Sequence, residues 1–519
     1  MRAGLQTTLA ALALLLGGCS TVPLEVPHPP SHAIDSSAET FLGRTFAASL
    51  ATSPGASGFH LLVTGEEAFV ARAALAQSAE RSLDLQYYAV ADDATATMLL
   101  SQALRAAQRG VRVRVLLDDL YAVGRDAALA RLAAQPNVEV RVFNPFLQRG
   151  GFALTRLFEA LVDGRLNARM HNKVWIADNA AAVVGGRNLG DHYFAAHADG
   201  DFADLDVLAA GPIVAGISAS FDAYWNDDAA VPIAALAEEA PGSEDIEATA
   251  RQMAASAERF RDTDYARHLR TLDLGRTFRS GQLALDAASA VVLFDPPEKA
   301  RLPASEPPGP ILAALRPYVD AATQEMILVT PYFVPSDRGV EVLCGVSVRG
   351  VRVRVLTNSL ATTDVPAVHA GYASYRRRLL ACGVELHELR RQKGEASAPR
   401  VGFSSGASLH AKAVVIDRHV VLVGSMNLDP RSRLVNTETG LLIESAVVGE
   451  RVGALFDAAT ALDQAFRLRL ATPGDPDSAL LWDGREGEHL ITLQREPLAS
   501  WWRRLLAGAL GVLVPQAAL

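Results

Sequence analysis

Arg109-Gly-Val-Arg-Val-Arg-Val-Leu116 recurs letter for letter as Arg349 to Leu356. Strand-like segments precede both copies, Leu83 to Tyr88 and Ile327 to Phe333. A second pattern follows each: His171-Asn172-Lys173 with Asp178, then His410-Ala411-Lys412 with Asp417. Each copy continues through six residues into a glycine-led turn and an asparagine, Gly185-Gly186-Arg187-Asn188 and Gly424-Ser425-Met426-Asn427. The period is far too long for a solenoid unit. The chain therefore reads as a duplicated domain that folds into two similar halves.

The first half alternates helical and strand-like stretches. A helix near Glu66–Glu80 precedes the strand at Leu83, and a helix near Ala94–Arg109 precedes a strand at Val111–Leu117. That alternation is the signature of a sheet covered by helices, an α/β fold. The expected organisation is a signal segment over 1–18, a flexible tether over 19–58 and a first domain over 59–230. A partly helical linker over 231–285, a second domain over 286–466 and a tail over 467–519 complete it.

The chain has only four lysines, and two of them are Lys173 and Lys412. The motif reads as a strand from His171 to Asp178, a tight turn at Asp178-Asn179, and a return strand from Ala180 to Val184. Side chains alternate along a strand, so a histidine and lysine separated by one residue face one phosphate together. Asp178 and Asp417 complete the motif copies but fall at the turns, where a structural role is expected. Gly185, Gly186 and Gly424 permit close backbone approach beside the site.

At 519 residues and 50% hydrophobic, the chain is large enough for two cores. Its net charge of −9 argues against a general nucleic-acid binder, which carries a basic face. An anionic substrate must then be recognised by local charge within a cleft. The segment Gln148 to Arg169 holds Arg149, Arg156, Arg165 and Arg169, and reads equally as a phosphate-facing channel or a solvated loop.

Arg2, a short apolar run around Leu9–Leu16, and Leu16-Gly17-Gly18-Cys19 form a targeting signal too short to span a bilayer permanently. The placement of Cys19 resembles a bacterial lipoprotein box, which implies cleavage before Cys19 and lipidation of its thiol. The expected location is the periplasmic side of a bacterial envelope, with Ser20 favouring the outer membrane. Cys344 and Cys382 read as buried free thiols; a disulfide stays open in an oxidising compartment. The Gly394–Ser408 loop is rich in small residues and sits just before His410. Trp501-Trp502-Arg503-Arg504 and the apolar run after it suit a lipid–water interface, or equally a helix packing back onto the body.

The paired motifs resemble the phospholipase D superfamily. Gly185 to Tyr193, Phe202 to Val207, Thr330 to Pro335 and Leu356 to Asp364 resemble its bacterial cardiolipin synthase-like branch. The resemblance implies two α/β halves, each a mixed β-sheet flanked by helices, with the active site at their pseudo-twofold interface. It implies His171 as nucleophile, His410 as acid–base, and Lys173, Lys412, Asn188, Asn427 and Ser425 around the phosphate oxygens. Asp204 and Glu438 are the expected carboxylates orienting the imidazoles. Gly186 departs from the common serine and removes one hydroxyl. No metal and no cofactor is expected. The expected partners are phospholipids and a membrane surface, without nucleic acid, for a monomeric enzyme. The implied reaction is phosphatidyl transfer between phospholipids to give cardiolipin, with hydrolysis to phosphatidic acid as the alternative. A nuclease and a non-catalytic membrane scaffold are the more distant readings.

Overall fold

The computed structural model describes residues 26–35, 37–146, 149, 164–197, 200–302, 309–391 and 408–513. The signal segment, Cys19, Arg156 and most of the loop before His410 lie outside the described residues.

The first lobe begins with β1 (Ser57–Leu62), α1 (Gly65–Ser78), β2 (Ser82–Tyr87), α2 (Ala94–Gln108), β3 (Arg112–Asp118) and β4 (Val138–Phe143). Thr64 starts α1 through a capping box: its hydroxyl accepts from the Glu67 N–H while the Glu67 carboxylate accepts from the Thr64 N–H. Strands β2, β3 and β4 run parallel. They are buried on both faces, which accounts for their near-continuous apolar runs. The hairpin β5 (Val174–Ala177) and β6 (Ala181–Gly185) joins antiparallel to β2, and β7 (Asp206–Ala210) joins β6.

The second lobe repeats this order with β8 (Asp286–Phe294), α3 (Pro310–Ala321), β9 (Glu325–Val329), α4 (Ser336–Val348) and β10 (Arg352–Asn358). Then follow β11 (Glu385–Leu389), the hairpin β12 (Ala413–Ile416) and β13 (Val420–Gly424), and β14 (Thr439–Glu444). One edge of each lobe meets at β1 and β8, whose antiparallel pairing matches Phe59 with Asp286 and Ser57 with Ala288. The two sheets are thereby one continuous 18-stranded sheet. A shared core between the lobes contains Phe59, Val174 and Trp225 from the first and Val329, Val415 and Phe456 from the second.

Four sequence expectations are corrected. The stretch expected to be a flexible tether is docked along its described part. Phe41–Ser49 is a helix burying Leu42 and Phe46, the Ala33 N–H donates to Asp222, and Arg114 donates to the Ser31 carbonyl. The stretch expected to be a tail after residue 466 instead adds strands to the second lobe, ending with β15 (Ala465–Leu470), β16 (Leu480–Glu486) and β17 (His489–Leu493). Cys344 and Cys382 are not buried free thiols; they are half-buried and form a disulfide with Cα atoms 5.4 Å apart. Finally, the hairpin strands begin one residue after each lysine, so His171–Lys173 and His410–Lys412 precede the strands.

Beyond the strands, α5 (Trp501–Leu513) packs along the Pro366–Ala373 helix and Arg503 donates to the Thr363 carbonyl. Its other face leaves Trp501, Trp502 and Leu505 exposed. The reading of a helix packing back onto the body therefore describes one face of this segment.

Candidate active site

Each motif is fixed by its aspartate. Asp178 and Asn179 take left-handed backbone conformations, φ 54° and 48°, and Asp417 and Arg418 do the same at 49° and 48°. Each left-handed pair opens a three-residue connection, since Ala177 pairs with Ala181 and Ile416 with Val420. The Asp178 carboxylate accepts from the N–H groups of Glu80, Arg81 and Ser82, and Asp417 from those of Thr323, Gln324 and Glu325. Each aspartate thus clamps the hairpin to the start of the neighbouring strand.

The histidines are brought to their carboxylates by backbone bridges that cross between lobes. Met170 pairs with Thr437 and the His171 N–H donates to the Thr437 carbonyl at 2.9 Å. Leu409 pairs with Ala203 and the His410 N–H donates to the Ala203 carbonyl at 2.7 Å. The next residue on each partner segment is the carboxylate. His171 Nδ1 lies 2.9 Å from Glu438 Oε2, and His410 Nδ1 lies 2.6 Å from Asp204 Oδ2. A carboxylate on Nδ1 fixes the tautomer and leaves Nε2 available for chemistry.

Both imidazoles are 8% exposed. Burial pushes the His171 imidazole down to about 4, against the opposing pull of Glu438. Burial also lowers His410, with Lys412 adding to the effect. His171 is therefore neutral near pH 7, the form that can attack. Lys173 and Lys412 are buried, and Lys412 Nζ lies 3.0 Å from His410 Nδ1. Burial lowers Lys412 to about 8 and Lys173 well below its ordinary value. Burial alone would raise Asp204 and Glu438, yet His410 and His171 respectively hold them below the usual range.

Glu438 is held on every side. Ser425 Oγ donates to its Oε2 at 2.5 Å and Ser432 Oγ to its Oε1 at 2.7 Å. Ser425, expected at the phosphate, thus also contacts the carboxylate that holds His171. In the first lobe the equivalent place must be glycine: a Cβ on Gly186 would sit 2.1 Å from Asp204 Oδ1. The shorter aspartate occupies the space that a serine would need. Asn188 donates to the Tyr193 hydroxyl at 2.9 Å, whereas Asn427 Oδ1 is buried with no hydrogen-bond partner among the described residues.

Sequence reasoning assigned no role to the aromatic rings around the histidines. Tyr88 stands edge-on to His171 with centroids 5.0 Å apart, and Tyr193 and Phe202 flank His410 at 5.3 and 5.2 Å. The signal available was position alone, since Tyr88 directly follows β2 and Tyr193 closes the asparagine turn. Among the arginines left open as channel or loop, Arg149 is paired with Asp119 and Asp126, and Arg169 with Asp118.

Two histidine–lysine sets from twin α/β lobes, each imidazole oriented by the opposite lobe, define the phospholipase D class. Residues 73–225 and 315–460 match the family described as "Cardiolipin synthase, PLD-like domain". The chain belongs to that family. It is 38% identical over 467 residues to cardiolipin synthase C of Escherichia coli (strain K12), covering 89% of this chain and 96% of that one. It is 30% identical to an uncharacterized protein of Helicobacter pylori (strain J99 / ATCC 700824), covering 90% of each. The fold is shared with phosphatidylserine synthase of Haemophilus influenzae Rd KW20, at TM-score 0.55 and 13% identity over 91% of this chain and all of that one.

Proposed function

We propose that this protein is a cardiolipin synthase: it moves a phosphatidyl group from one phospholipid to an alcohol of another through a phosphohistidine. The observation that carries this reading is the reciprocal His171–Glu438 and His410–Asp204 pairing, which leaves an Nε2 free on each ring. His171 Nε2 attacks phosphorus, and the P–O bond to the departing headgroup alcohol breaks as protonated His410 donates its proton to that oxygen. The incoming alcohol then gives its proton to His410, its oxygen forms the new P–O bond, and the N–P bond to His171 breaks. Lys173, Lys412, Asn188 and Asn427 hold the non-bridging oxygens as negative charge builds.

The similarity to cardiolipin synthase C supports transfer over hydrolysis. Incubation with phosphatidylglycerol vesicles yields cardiolipin and glycerol on this reading; phosphatidic acid without cardiolipin rejects it in favour of a phospholipase D.

The same reading places the enzyme on a membrane facing an oxidising compartment. The box at Leu16 to Cys19 supports lipidation of Cys19, the Cys344–Cys382 bridge suits the periplasm, and the exposed Trp501–Trp502 face suits the lipid interface. Among the described residues, no helix is long and apolar enough to cross a membrane. Metabolic labelling with an alkyne fatty acid tests the anchor: label lost in Cys19→Ala supports it, and label retained there rejects it.

A further inference from the structure

The lobes are near-copies, yet they differ at one place beside the reaction centre. The Asp178 and Asp417 clamps match Ser82 with Glu325, and that register sets Phe69 opposite Leu312 and Arg72 opposite Leu315. The strand pairs Gly185–Asp206 and Gly424–Gly440 match Asp206 with Gly440. The asparagines Asn188 and Asn427 match Arg187 with Met426 and Phe194 with Arg433.

In the first lobe these residues form a solid plug. Arg72 bonds Asp206 at 2.9 Å and the Tyr87 hydroxyl at 2.9 Å, and Arg187 approaches Asp206 at 3.5 Å. Phe194 lies beneath Arg72 and against Phe69, with ring centroids 5.6 Å apart. Every member is buried. In the second lobe the counterparts are Leu312, Leu315, Gly440, Met426 and Arg433, and all five line a cavity of about 570 Å³ between α3, α4 and the sheet. That volume falls within the range of about 300–1,000 Å³ typical of small-molecule sites. The remaining wall is largely aliphatic, with Val319, Leu328 and Leu343 among its residues. One end reaches Lys412 and Asn427 of the motif.

We propose that this cavity receives one fatty acyl chain of the phospholipid whose phosphate lies between the two histidines. The proposal rests on the phosphatidyl-transfer reading and adds to it where the lipid tail goes. Where the first lobe has an ion-paired plug, the second has two leucines, a methionine, a glycine and Arg433, which leaves a largely apolar slot that Lys412 also lines. Burying methylenes there gives the substrate binding free energy roughly proportional to chain length. Among the described residues the first lobe is plugged where the second has the slot, so the twofold site treats its two lipids differently.

The test is the ratio of kcat/KM for dipalmitoyl-phosphatidylglycerol to that for monomeric dihexanoyl-phosphatidylglycerol. Leu315→Trp and Leu343→Trp fill the cavity and lower the ratio by at least about tenfold, as expected when several methylenes lose burial. Val348→Trp, at an exposed end of α4, leaves it unchanged. An unchanged ratio in both filled variants overturns the proposal. Wild-type protein that converts neither lipid would instead sink the phosphatidyl-transfer reading.

A second measurement needs no substitution. Phosphatidylglycerol with a diazirine at its chain end labels peptides from Pro310–Ala321 or Ser336–Val348, and unlabelled phosphatidylglycerol displaces it. Labelling confined to other regions overturns the proposal. So does diazirine palmitate that labels these helices and resists displacement by phosphatidylglycerol, which would make the cavity a free fatty acid site.

Discussion

Asp204 of the first lobe holds His410 of the second, with Oδ2 and Nδ1 2.6 Å apart, although 206 residues separate them in sequence. Glu438 returns the contact to His171 across 267 residues. Neither lobe can orient its own histidine, so the site exists only when the lobes are docked.

Asp204→Asn and Glu438→Gln should therefore each lower kcat by roughly 10²–10⁴-fold, the range associated with a positioned acid–base group. The amide keeps the shape but not the charge that stabilises the imidazolium. Ser425→Ala removes one bond to Glu438 and should cost less, about tenfold, the equivalent of losing ~1.5 kcal/mol from a hydrogen bond to a charged group. Single-turnover rates check these values, and thermal unfolding of the same variants should shift little.

Protonation of the site should be readable in anion binding. Lys412 is lowered by burial to about 8, so its ammonium is lost as pH rises through that value. Inhibition by sulfate, which keeps its charge throughout, should weaken above about pH 8 in the wild type. Lys412→Arg should remove that pH dependence, because guanidinium stays charged. His171 acts in the opposite range. Its folded value near 4 lies below the ordinary 6.5, so the unfolded chain binds the extra proton between those values. Its contribution to stability therefore declines as pH falls from about 6.5 to about 4, which urea unfolding at several pH values measures.

The Cys344–Cys382 bridge closes a loop of 38 residues between α4 and the approach to β11. Reduction, or a Cys344→Ser/Cys382→Ser double variant, should lower stability by about 2–4 kcal/mol. Thermal unfolding with and without a phosphine reductant reads it. The reductant should leave the melting temperature of the double variant unchanged.

Trp501 and Trp502 are 72% and 56% exposed on α5, and Leu505 continues that face. A Trp501→Ala/Trp502→Ala variant should cosediment about tenfold less with phosphatidylglycerol vesicles, since interfacial binding scales with apolar area inserted. Turnover of monomeric dihexanoyl-phosphatidylglycerol should stay at the wild-type rate.

The motifs, the duplicated lobes and the α/β alternation were legible because each is local: a repeated spacing, a helical period, a strand run. Asp204 and Glu438 were recognisable as carboxylates for the histidines, but their exchange between lobes was not, because it depends on Leu409 pairing with Ala203 and Met170 with Thr437. The role of Ser425 was hidden for the same reason, since a hydroxyl beside a phosphate site is equally placed to meet a carboxylate. Residues 19–58 read as tether from their Pro, Ser and His content, yet single polar contacts such as Ala33 to Asp222 fix their described part to the first lobe. Strands β16 and β17 lie outside the repeated part and carried no second copy to compare, whereas β15 matches the short strand Ala230–Pro232 on β4.

The most direct measurement is intact-peptide mass spectrometry of acid-free, rapidly quenched protein in a His410→Ala background with phosphatidyl-p-nitrophenol. That leaving group departs without a proton from His410, whereas the second step slows without its proton acceptor, so the peptide containing His171 should carry the added mass of a phosphatidyl group. No adduct on any peptide, or an adduct on a residue other than His171, would contradict the account.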